Sequence, residues 1–289
     1  MENTMNHQSA VESPQGMELE ALLKATQKEI ADAMATHSNP ALKFSGGKDS
    51  LACLYLLRPY WDRLTVLWAN AGDPYPETVE LMRQVRQLVR NFVEVAGPGY
   101  VRQHNDAGAY PADMVPWDAT PTGRFLQPAL TPNFTIHSFV DCCATNVWQP
   151  MQHATGQLGF DLVIRGERKS EKYRPPITSG MRDPQNGSMQ LLPVYHWSKD
   201  AVFAFLRAEG VELPRQYAYG MGSLECLHCT AMLGENGNKL RYLRDFHPDV
   251  ARKYEHRLRL IQSEQQRHVR FVSIALGELE PEGDEGQGD

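Results

Sequence analysis

The sequence lacks any apolar run near the length of about 20 residues that a membrane span requires. Residues 1–15 are polar, and they lack the order of basic and then apolar residues that defines a signal peptide. We therefore expect a cytoplasmic protein with no membrane partner. A large positive charge is also missing, because the formal net charge is -6. That balance argues against a protein dominated by nonspecific attraction to nucleic acid.

Cysteine is scarce, and its five copies fall into two pairs and one single residue. Cys142 and Cys143 are adjacent, whereas Cys226 and Cys229 form a Cys-x-x-Cys motif. Disulfides are rare in the cytoplasm, so paired cysteines point first to metal or redox chemistry. Cys53 stands on an apolar helix, where a buried and inert thiol is expected.

Short apolar segments alternate with amphipathic segments through most of the chain. Strands are predicted at residues 41–44, 64–69, 92–95, 161–164 and 191–194. Helices are predicted at residues 17–34, 50–57, 76–90, 140–153 and from Ser198 to the residue before Gly210. This alternation predicts an α/β fold, a parallel Rossmann-like sheet with helices on both faces and ligand sites at the carboxyl ends of its strands.

Four parts are predicted along the chain. Residues 1–16 are expected to be a flexible leader, residues 17–233 the main domain, residues 234–272 a helical extension and residues 273–289 a flexible acidic tail. Within the main domain, residues 97–133 are rich in Gly, Pro, Asp and Asn and show little periodicity. This stretch is predicted to be a long loop insertion, either a lid over the site or a surface for a partner.

A glycine-rich turn, SGGKDS, follows the first predicted strand and precedes a helix. Backbone N–H groups in such a turn, at a helix start whose dipole favours anions, form a cradle for phosphate. Lys48 adds a cation and Asp49 a carboxylate for Mg²⁺, and the other members of the turn are Ser45, Gly46, Gly47 and Ser50. The residue spacing of a Walker A loop is missing. The turn therefore predicts a triphosphate site for ATP and Mg²⁺, with a chance Gly-Gly turn as the alternative.

The paired cysteines predict a [4Fe-4S] cluster held by Cys142, Cys143, Cys226 and Cys229. Side chains of adjacent cysteines tend to diverge, which serves a single ion poorly but suits a cube that offers a separate iron at each corner. Structural zinc, for which a second Cys-x-x-Cys is more usual, and unligated core cysteines are the alternatives. His228, inside the motif, is expected to stay outside the ligand set.

The SGGKDS turn resembles the PP-loop of the ATP pyrophosphatase (adenine nucleotide alpha hydrolase) superfamily. With the two cysteine pairs, the sequence resembles the phosphoadenosine phosphosulfate (PAPS) reductase family. More specifically, it resembles the cluster-containing adenylylsulfate (APS) reductases of that family and the related ATP pyrophosphatases of DNA phosphorothioation. The resemblance covers residues 41–233 and includes the segments NAGDPYPET, RGERKSEKYR, LLPVYHWSKDAVFAFL and YGMGSLECLHC.

The resemblance implies that the PP-loop grips the leaving pyrophosphate while a substrate oxygen attacks the α-phosphorus. Catalytic roles would fall to Lys48, Asp49 and Arg168. The nucleotide would contact the PP-loop and a second set of residues, namely Asn70, Glu77, Arg165, Arg168, Lys169 and Arg174. For the basic residues the alternative is a solvated loop, and for Glu77 it is capping of the helix start.

Departures from the reductases favour ATP chemistry. Those enzymes carry a nucleophilic cysteine near the C-terminus, and no cysteine follows Cys229 here. Lys48 suits a pyrophosphate leaving group, and Asn70 stands where the reductases have an aspartate. We therefore expect an ATP pyrophosphatase that adenylylates a substrate for sulfur transfer, as in the thiolation of DNA or tRNA. A PAPS or APS reductase that uses an external thiol, and a non-catalytic nucleotide-binding Fe-S subunit, are the alternatives.

The partners expected from this reading are ATP, a nucleic-acid acceptor and a sulfur donor such as a cysteine desulfurase. A homodimer is left open. Basic residues in the segment 239–270 offer one surface for nucleic acid. The interleaved Asp245, Asp249 and Glu255 favour a solvated helical face instead.

Overall fold

The computed structural model describes residues 14–116, 119–126, 132–171 and 177–280. These residues form strands β1 (Pro40–Lys43), β2 (Thr65–Asn70), β3 (Asn91–Ala96), β4 (Ala109–Ala112), β5 (Thr135–Ser138), β6 (Leu162–Ile164) and β7 (Met189–Leu191). Five of the strands make the central sheet in the order β3-β2-β1-β6-β7, and every neighbouring pair is parallel. The predicted parallel α/β fold is confirmed.

Helices connect and flank these strands. They are α1 (Pro14–Thr36), α2 (Lys48–Leu56), α3 (Pro76–Leu88), α4 (Tyr100–Asp106), α5 (Pro121–Leu126), α6 (Phe139–Cys143), α7 (Gln149–Gln157), α8 (Lys199–Ala208), α9 (Leu233–Asn236), α10 (Lys239–Phe246) and α11 (Pro248–Ala275). Ser198 caps α8 as predicted, because its side chain accepts a hydrogen bond from the backbone N–H of Ala201. Within the described ranges, no helix has both the length and the apolar character that crossing a membrane requires.

Helices cover both faces of the sheet. Successive residues of a strand point to opposite faces, and Leu42 and Ala41 of β1 accordingly belong to different apolar clusters. The larger cluster joins the strands to α1, α2, α3 and α8, and the smaller one joins them to α7. Because helices cover both faces, the side chains on both sides of the central strands are buried. The sequences of these strands are therefore short apolar runs. Cys53 of α2 lies in the larger cluster and is fully buried, as predicted.

The last strand of the sheet lies earlier in the chain than predicted. The apolar segment at residues 191–194 indicated a strand there, whereas β7 is Met189–Leu191 and pairs with β6. Pro193 has no N–H to contribute to a ladder, so the strand ends before it. The chain then turns, and the backbone N–H of Tyr195 donates to the carbonyl of Leu192 at 3.0 Å.

The predicted loop insertion at residues 97–133 contains regular structure. Its described part includes α4, β4 and α5, and β4 pairs in parallel with β5 in a separate two-stranded sheet. Ala112, Phe134 and Ile136 form a small core beneath that sheet together with Ile261 of α11. The loop prediction was wrong here because the pairing joins short segments far apart in the sequence, which local periodicity does not reveal. The role of the insertion as a lid stays a prediction.

The helix predicted at residues 140–153 is interrupted directly after the cysteine pair. Helix α6 ends at Cys143, a π-helical turn spans Ala144–Trp148, and α7 continues to Gln157. Pro150 supplies no N–H for the carbonyl of Asn146, which explains why regular α-helical bonding fails in this turn. Interruptions of this kind are frequent at functional sites.

The two ends of the chain differ from their predicted boundaries. Helix α1 begins at Pro14, inside the predicted leader, and residues 1–13 lie outside the described residues. Helix α11 runs to Ala275, past the predicted start of the acidic tail, and residues 281–289 lie outside the described residues. The C-terminal helices pack on the main domain, because Tyr242 and Tyr254 share a core with Tyr75 and Leu227.

Candidate functional site

The glycine-rich turn lies at the carboxyl end of β1, the middle strand of the sheet. Gly46 has a φ of +81°, and a Cβ there would lie 3.1 Å from side-chain atoms of Leu81 and of Met82 in α3. Glycine alone adopts this positive φ without strain, and it also has no Cβ to meet these side chains. The hydroxyls brace the turn, since Ser50 Oγ donates to the carbonyl of Gly47 at 3.0 Å and the N–H of Gly47 donates to Ser45 Oγ at 3.2 Å. The serines predicted to bind phosphate thus hold the shape of the turn.

Three buried charges meet where α2 begins. Lys48 Nζ lies 2.8 Å from Asp49 Oδ2, and Arg168 Nε donates to Asp49 Oδ1 at 2.7 Å. The exposed fractions of Lys48, Asp49 and Arg168 are 5%, 9% and 7%. The structure therefore brings together the three residues predicted to be catalytic. Two cations share one carboxylate, which leaves a buried positive charge that a phosphate would neutralise.

Glu171 is the next carboxyl group around Arg168. Its Oε1 lies 3.7 Å from the Arg168 guanidinium, and its Oε2 accepts a hydrogen bond from the Arg168 backbone N–H at 3.2 Å. Burial raises the pKa of Glu171 to about 7, and the nearby charge of Asp49 acts in the same direction. Near neutral pH this carboxyl therefore neutralises the two cations only partly.

The loop after β6 presses closely on the PP-loop. A Cβ on Gly166 would lie 2.8 Å from the Ser50 backbone nitrogen, so glycine permits this approach. Arg168 reaches Asp49 by this route. Arg165 instead pairs with Glu167, whose carboxylate oxygens accept from Nε at 2.8 and 3.0 Å. The backbone N–H of Lys169 donates to the carbonyl of Tyr195 at 2.7 Å.

Arg174 lies outside the described residues, so its predicted role stays a prediction. Two further predicted nucleotide contacts, Asn70 and Glu77, make contacts of other kinds. Asn70 Oδ1 accepts from the N–H of Gly72 at 2.9 Å and shapes the turn after β2. Glu77 Oε1 accepts from the Tyr242 hydroxyl at 3.0 Å, and its Oε2 is buried without a hydrogen-bond partner in the described structure. Nucleotide contact by Asn70 or Glu77 stays a prediction.

Tyr217 is a member of the site that the sequence did not indicate. Its hydroxyl accepts a hydrogen bond from the backbone N–H of Lys48 at 2.8 Å, and its ring centroid lies 5.8 Å from Lys48 Nζ. Burial raises the pKa of the Tyr217 phenol. The residue belongs to a 3-10 helix, Arg215–Tyr219, that has no spacing signal for phosphate binding. Only the tertiary structure brings it to the PP-loop.

The four paired cysteines approach one another from two segments. Cys142 and Cys143 end α6, and Cys226 and Cys229 lie in the loop before α9. Burial, together with the nearby charges of Cys229 and Cys142, raises the pKa of Cys143 to about 12. Burial raises the pKa of Cys229 to about 11, and the charge of Cys142 again acts in the same direction. The charge of a thiol in each pair thus acts on a thiol of the other pair.

The arrangement of the thiols bears on which metal they fit. Among the described residues, no three His, Cys, Asp or Glu side chains are gathered tightly enough to hold a metal ion. The thiolates that bind a polynuclear cluster are spaced more widely than the ligands of a single ion, because each thiolate binds its own iron. In its chemistry, a set of four cysteine thiols matches the ligands that such a cluster uses. The ligand set, Cys142, Cys143, Cys226 and Cys229, stays a prediction.

A buried lysine supports the Cys-x-x-Cys loop from behind. Lys239 is fully buried, and its Nζ donates to the carbonyls of Cys226 at 2.8 Å and Cys229 at 2.9 Å. The same Nζ lies 3.1 Å from a carboxylate oxygen of Glu225. It also lies 5.2 Å from the ring centroid of Tyr254. From the sequence, Lys239 was predicted only to be one residue of a basic helix.

Asp73, from the segment after β2, holds the same loop from the other side. Its carboxylate accepts from the backbone N–H of His228 at 2.9 Å and lies 2.8 Å from the ring Nδ1 of that residue. The carbonyl of Asp73 accepts from the N–H of Leu227 at 2.9 Å. Asp73 is 3% exposed, so these bonds are shielded from water. The ring Nδ1 of His228 is thus engaged by a carboxylate, and the position of His228 outside the ligand set stays a prediction.

The basic C-terminal helices are largely neutralised by their own acids. Arg244 and Arg259 both pair with Glu255, at 2.8 and 2.7 Å, and Arg252 pairs with Asp249 at 2.6 Å. Exposed pairs of this kind contribute little to stability but satisfy the charges. These three arginines thus have acidic partners on the same two helices, and a nucleic-acid surface in the segment 239–270 stays a prediction.

Comparisons with known proteins agree with the fold and the motifs. The sequence model of the phosphoadenosine phosphosulfate reductase domain matches residues 39–232. An uncharacterized protein of Methanocaldococcus jannaschii is 24% identical over 222 residues, which are 75% of this chain and 40% of that protein. The chain therefore spans less than half the length of this relative.

The chain is also similar to solved structures. The crystal structure of PAPS reductase from Candida auris, a phosphate complex, aligns with a TM-score of 0.50 at 17% identity, over 75% of this chain and 96% of that one. The U34-tRNA thiolase NcsA from Methanococcus maripaludis, solved with its [4Fe-4S] cluster, aligns with a TM-score of 0.43 at 13% identity, over 83% and 80% of the two chains. At these identities the PAPS reductase likeness establishes the fold.

Proposed function

Because the chain belongs to the phosphoadenosine phosphosulfate reductase domain family, we propose that it is a nucleotide-utilising enzyme that splits ATP into AMP and pyrophosphate. In this proposal the AMP is transferred to an acceptor oxygen. The observation that supports this proposal most strongly is the buried charge cluster, in which Lys48 and Arg168 share the single carboxylate of Asp49. A triphosphate supplies the negative charge that this cluster lacks.

The proposed reaction is an in-line displacement at the α-phosphorus. The acceptor oxygen forms a bond to that phosphorus, the bond to the bridging oxygen of the β-phosphate breaks, and pyrophosphate leaves with the electron pair. Lys48 and the PP-loop N–H groups would stabilise the charge that develops on pyrophosphate. Asp49 would supply a carboxylate oxygen to Mg²⁺, which prefers carboxylate and phosphate ligands. Arg168 would bind a phosphate oxygen when the nucleotide competes with Asp49 for its guanidinium.

The adenylylated acceptor is proposed to react with sulfur. A sulfur nucleophile would attack the activated carbon or phosphorus, and AMP would leave. The four neighbouring thiols would hold a [4Fe-4S] cluster, which when bound supplies iron sites for sulfur or electron transfer. We place the acceptor among nucleic acids and the sulfur donor among proteins such as cysteine desulfurases. Both assignments are proposals, drawn from the resemblance to phosphorothioation enzymes.

A sulfonucleotide reductase is the second candidate, and the family match favours it. That chemistry needs a thiol that attacks the sulfate sulfur. None of the five cysteines is placed for this role, because Cys53 is fully buried and the other four lie together. A reductase would therefore depend on a thiol from another molecule.

One experiment separates the two candidates. Protein purified without oxygen is incubated with ATP, APS or PAPS, with and without tRNA or DNA, while pyrophosphate and sulfite are followed together. Pyrophosphate from ATP is the expected result, and Lys48→Ala should lower its release by about 10²- to 10³-fold. Lys253→Ala on the exposed surface of α11 is the matched control. Sulfite from APS or PAPS in the presence of a thiol, without pyrophosphate from ATP, would replace this proposal with the reductase.

A further inference from the structure

An aromatic groove opens beside the PP-loop. Its volume is about 590 Å³, and it runs between the end of α8, the 3-10 helix at Arg215–Tyr219 and the end of α10. Four aromatic rings line it, from Phe203, Tyr217, Tyr219 and Phe246. Nothing in the proposed ATP chemistry uses this groove.

The rings are held in fixed pairs. Phe203 and Tyr217 meet edge to face with centroids 5.5 Å apart, and Tyr219 and Phe246 do so at 5.8 Å. Phe246 is 37% exposed, so part of its ring faces solvent. Its ring thus offers a rigid surface on which another flat group can stack.

The groove is also positively charged. Arg207 and Arg215 line it, and its lining residues include no Asp or Glu. Both arginines are exposed, and neither makes an ion pair with a carboxylate in the described part of the chain. The guanidinium of Arg215 lies 5.5 Å from the Phe246 ring centroid. Asp245, at the rim, accepts a hydrogen bond from the Tyr219 hydroxyl at 2.6 Å. Arg244, Arg252 and Arg259 of α10 and α11, by contrast, each pair with a carboxylate.

We propose that this groove binds a single-stranded segment of the nucleic-acid acceptor, with bases on the aromatic rings and phosphates on Arg207 and Arg215. Stacking on aromatic rings combined with arginine contacts to the backbone is how single strands are held without sequence readout. A single strand presents both flat bases and phosphates, whereas an apolar peptide would leave the two arginines without partners. This inference rests on the proposed function, because it names the acceptor site of that reaction.

The position of the groove suits an acceptor site. Tyr217 belongs to both regions, since its ring lines the groove and its hydroxyl accepts from the Lys48 N–H at 2.8 Å. A strand that stacks beside Tyr217 is therefore delivered to the edge of the phosphate loop. The acceptor oxygen and the α-phosphorus of ATP would then approach from neighbouring sites.

Binding is tested without turnover. Fluorescence anisotropy follows labelled single-stranded RNA and DNA of about 12 nucleotides, a length within the range that such grooves cover. Arg215→Ala and Phe246→Leu should each weaken binding by about tenfold, and Arg215→Ala should reduce the salt dependence by about one phosphate contact. Arg252→Ala is the matched control, because that arginine is exposed on α11 and paired with Asp249. Thermal melts confirm that the variants are folded, and the RNA and DNA arms show which polymer is preferred.

Each other outcome overturns the inference. Wild-type protein that binds neither RNA nor DNA would point to a protein partner. Variants that bind the oligonucleotide like wild type would place the strand elsewhere. Variants that lose ATP affinity and keep oligonucleotide affinity would show that the groove holds the adenosine of ATP. Failure of the proposed function is recognised separately, because it appears as absent pyrophosphate release from ATP by the wild-type protein.

Discussion

The backbone N–H of Lys48 donates to the phenolic oxygen of Tyr217 at 2.8 Å. Lys48 is the first residue of α2, so this N–H is one of the free donors at the helix start that bind phosphate in related turns. A tyrosine oxygen therefore occupies a donor that the proposed triphosphate would use. The segment that carries Tyr217 continues directly into Cys226, and it thereby links the phosphate loop to the cysteine loop.

Removing the Tyr217 hydroxyl should strengthen ATP binding. In Tyr217→Phe the Lys48 N–H is free for a phosphate oxygen, and a hydrogen bond of about 1 kcal/mol corresponds to about fivefold in affinity. Isothermal titration calorimetry with ATP and Mg²⁺ measures the change. Tyr219→Phe is the control, because that hydroxyl bonds to Asp245. Weaker ATP binding by Tyr217→Phe would mean that the hydroxyl contacts the nucleotide instead of competing with it.

Replacing Lys239 should destabilise the whole protein. Lys239→Met keeps the length of the side chain but leaves the buried Glu225 without its cation. Breaking a buried ion pair from one side costs about 3–5 kcal/mol in the free energy of unfolding. Urea unfolding followed by circular dichroism measures this loss, and Lys253→Met, on the exposed face of α11, should change stability by less than about 0.5 kcal/mol.

The double variant Lys239→Met/Glu225→Gln tests the reason for that loss. It should recover part of the lost stability, because it removes the uncompensated carboxylate as well. A double variant as unstable as Lys239→Met would show instead that the bonds from Lys239 to the Cys226 and Cys229 carbonyls carry the effect.

The fold was predictable wherever the pattern that specifies it is local. Strands β1 and β2 are apolar runs between turns, and the PP-loop sequence marks the strand end that it follows. The two-stranded sheet was missed because β4 and β5 are four residues each, and β4 contains Pro111. The pairing of such short strands is decided by the small core around Ile136, which forms only in the folded chain.

The same distinction applies to the candidate site. Lys48 and Asp49 follow from the turn itself, and Arg168 followed from the resemblance. Tyr217 and Asp73 were missed because their roles depend on partners far along the chain, 169 residues from Tyr217 to Lys48 and 155 from Asp73 to His228. Nothing in the local sequence distinguishes such residues from ordinary loop positions.

Glu171 should make stability fall as the pH rises through the range from about 4.5 to about 7. Its carboxyl has a pKa of about 7 in the folded protein against 4.5 ordinarily, so the folded state holds the proton more tightly. Below the lower value both states are protonated, and between the two values only the unfolded chain releases its proton. Unfolding therefore becomes easier as the pH rises, and the full penalty is present above about pH 7.

Glu171→Gln removes this group. The variant should melt at a higher temperature than wild type at about pH 8, and the difference should shrink toward about pH 4. Differential scanning calorimetry at the two pH values checks it, with Glu29→Gln on the exposed surface of α1 as the control. A variant that melts at a lower temperature than wild type at about pH 8 would mean that the carboxylate form is the one stabilised, through Arg168.

Gly97 should be intolerant of even a methyl group. A Cβ at this position would lie 2.4 Å from the carbonyl oxygen of Asn146, in the π-helical turn that follows Cys143. The atoms of Asn146 that the Cβ would meet are all backbone atoms. The backbone of Gly97 is itself held in place, because its N–H donates to the carbonyl of Asn70 at 3.1 Å. The clash cannot be relieved by rotating a side chain, so Gly97→Ala should lower the free energy of unfolding by about 1–3 kcal/mol.

The clash should also displace the cysteine pair. Alkylation rates of the thiols in metal-free protein report this directly, because Cys142 and Cys143 are partly buried against the same turn. Gly234→Ala is the matched control, since a Cβ at Gly234 in α9 meets nothing within 4 Å and alanine favours a helix. Equal stability and equal alkylation in Gly97→Ala and wild type would show that the turn can move away from β3, and the cysteine pair would then be held by the Cys226 loop alone.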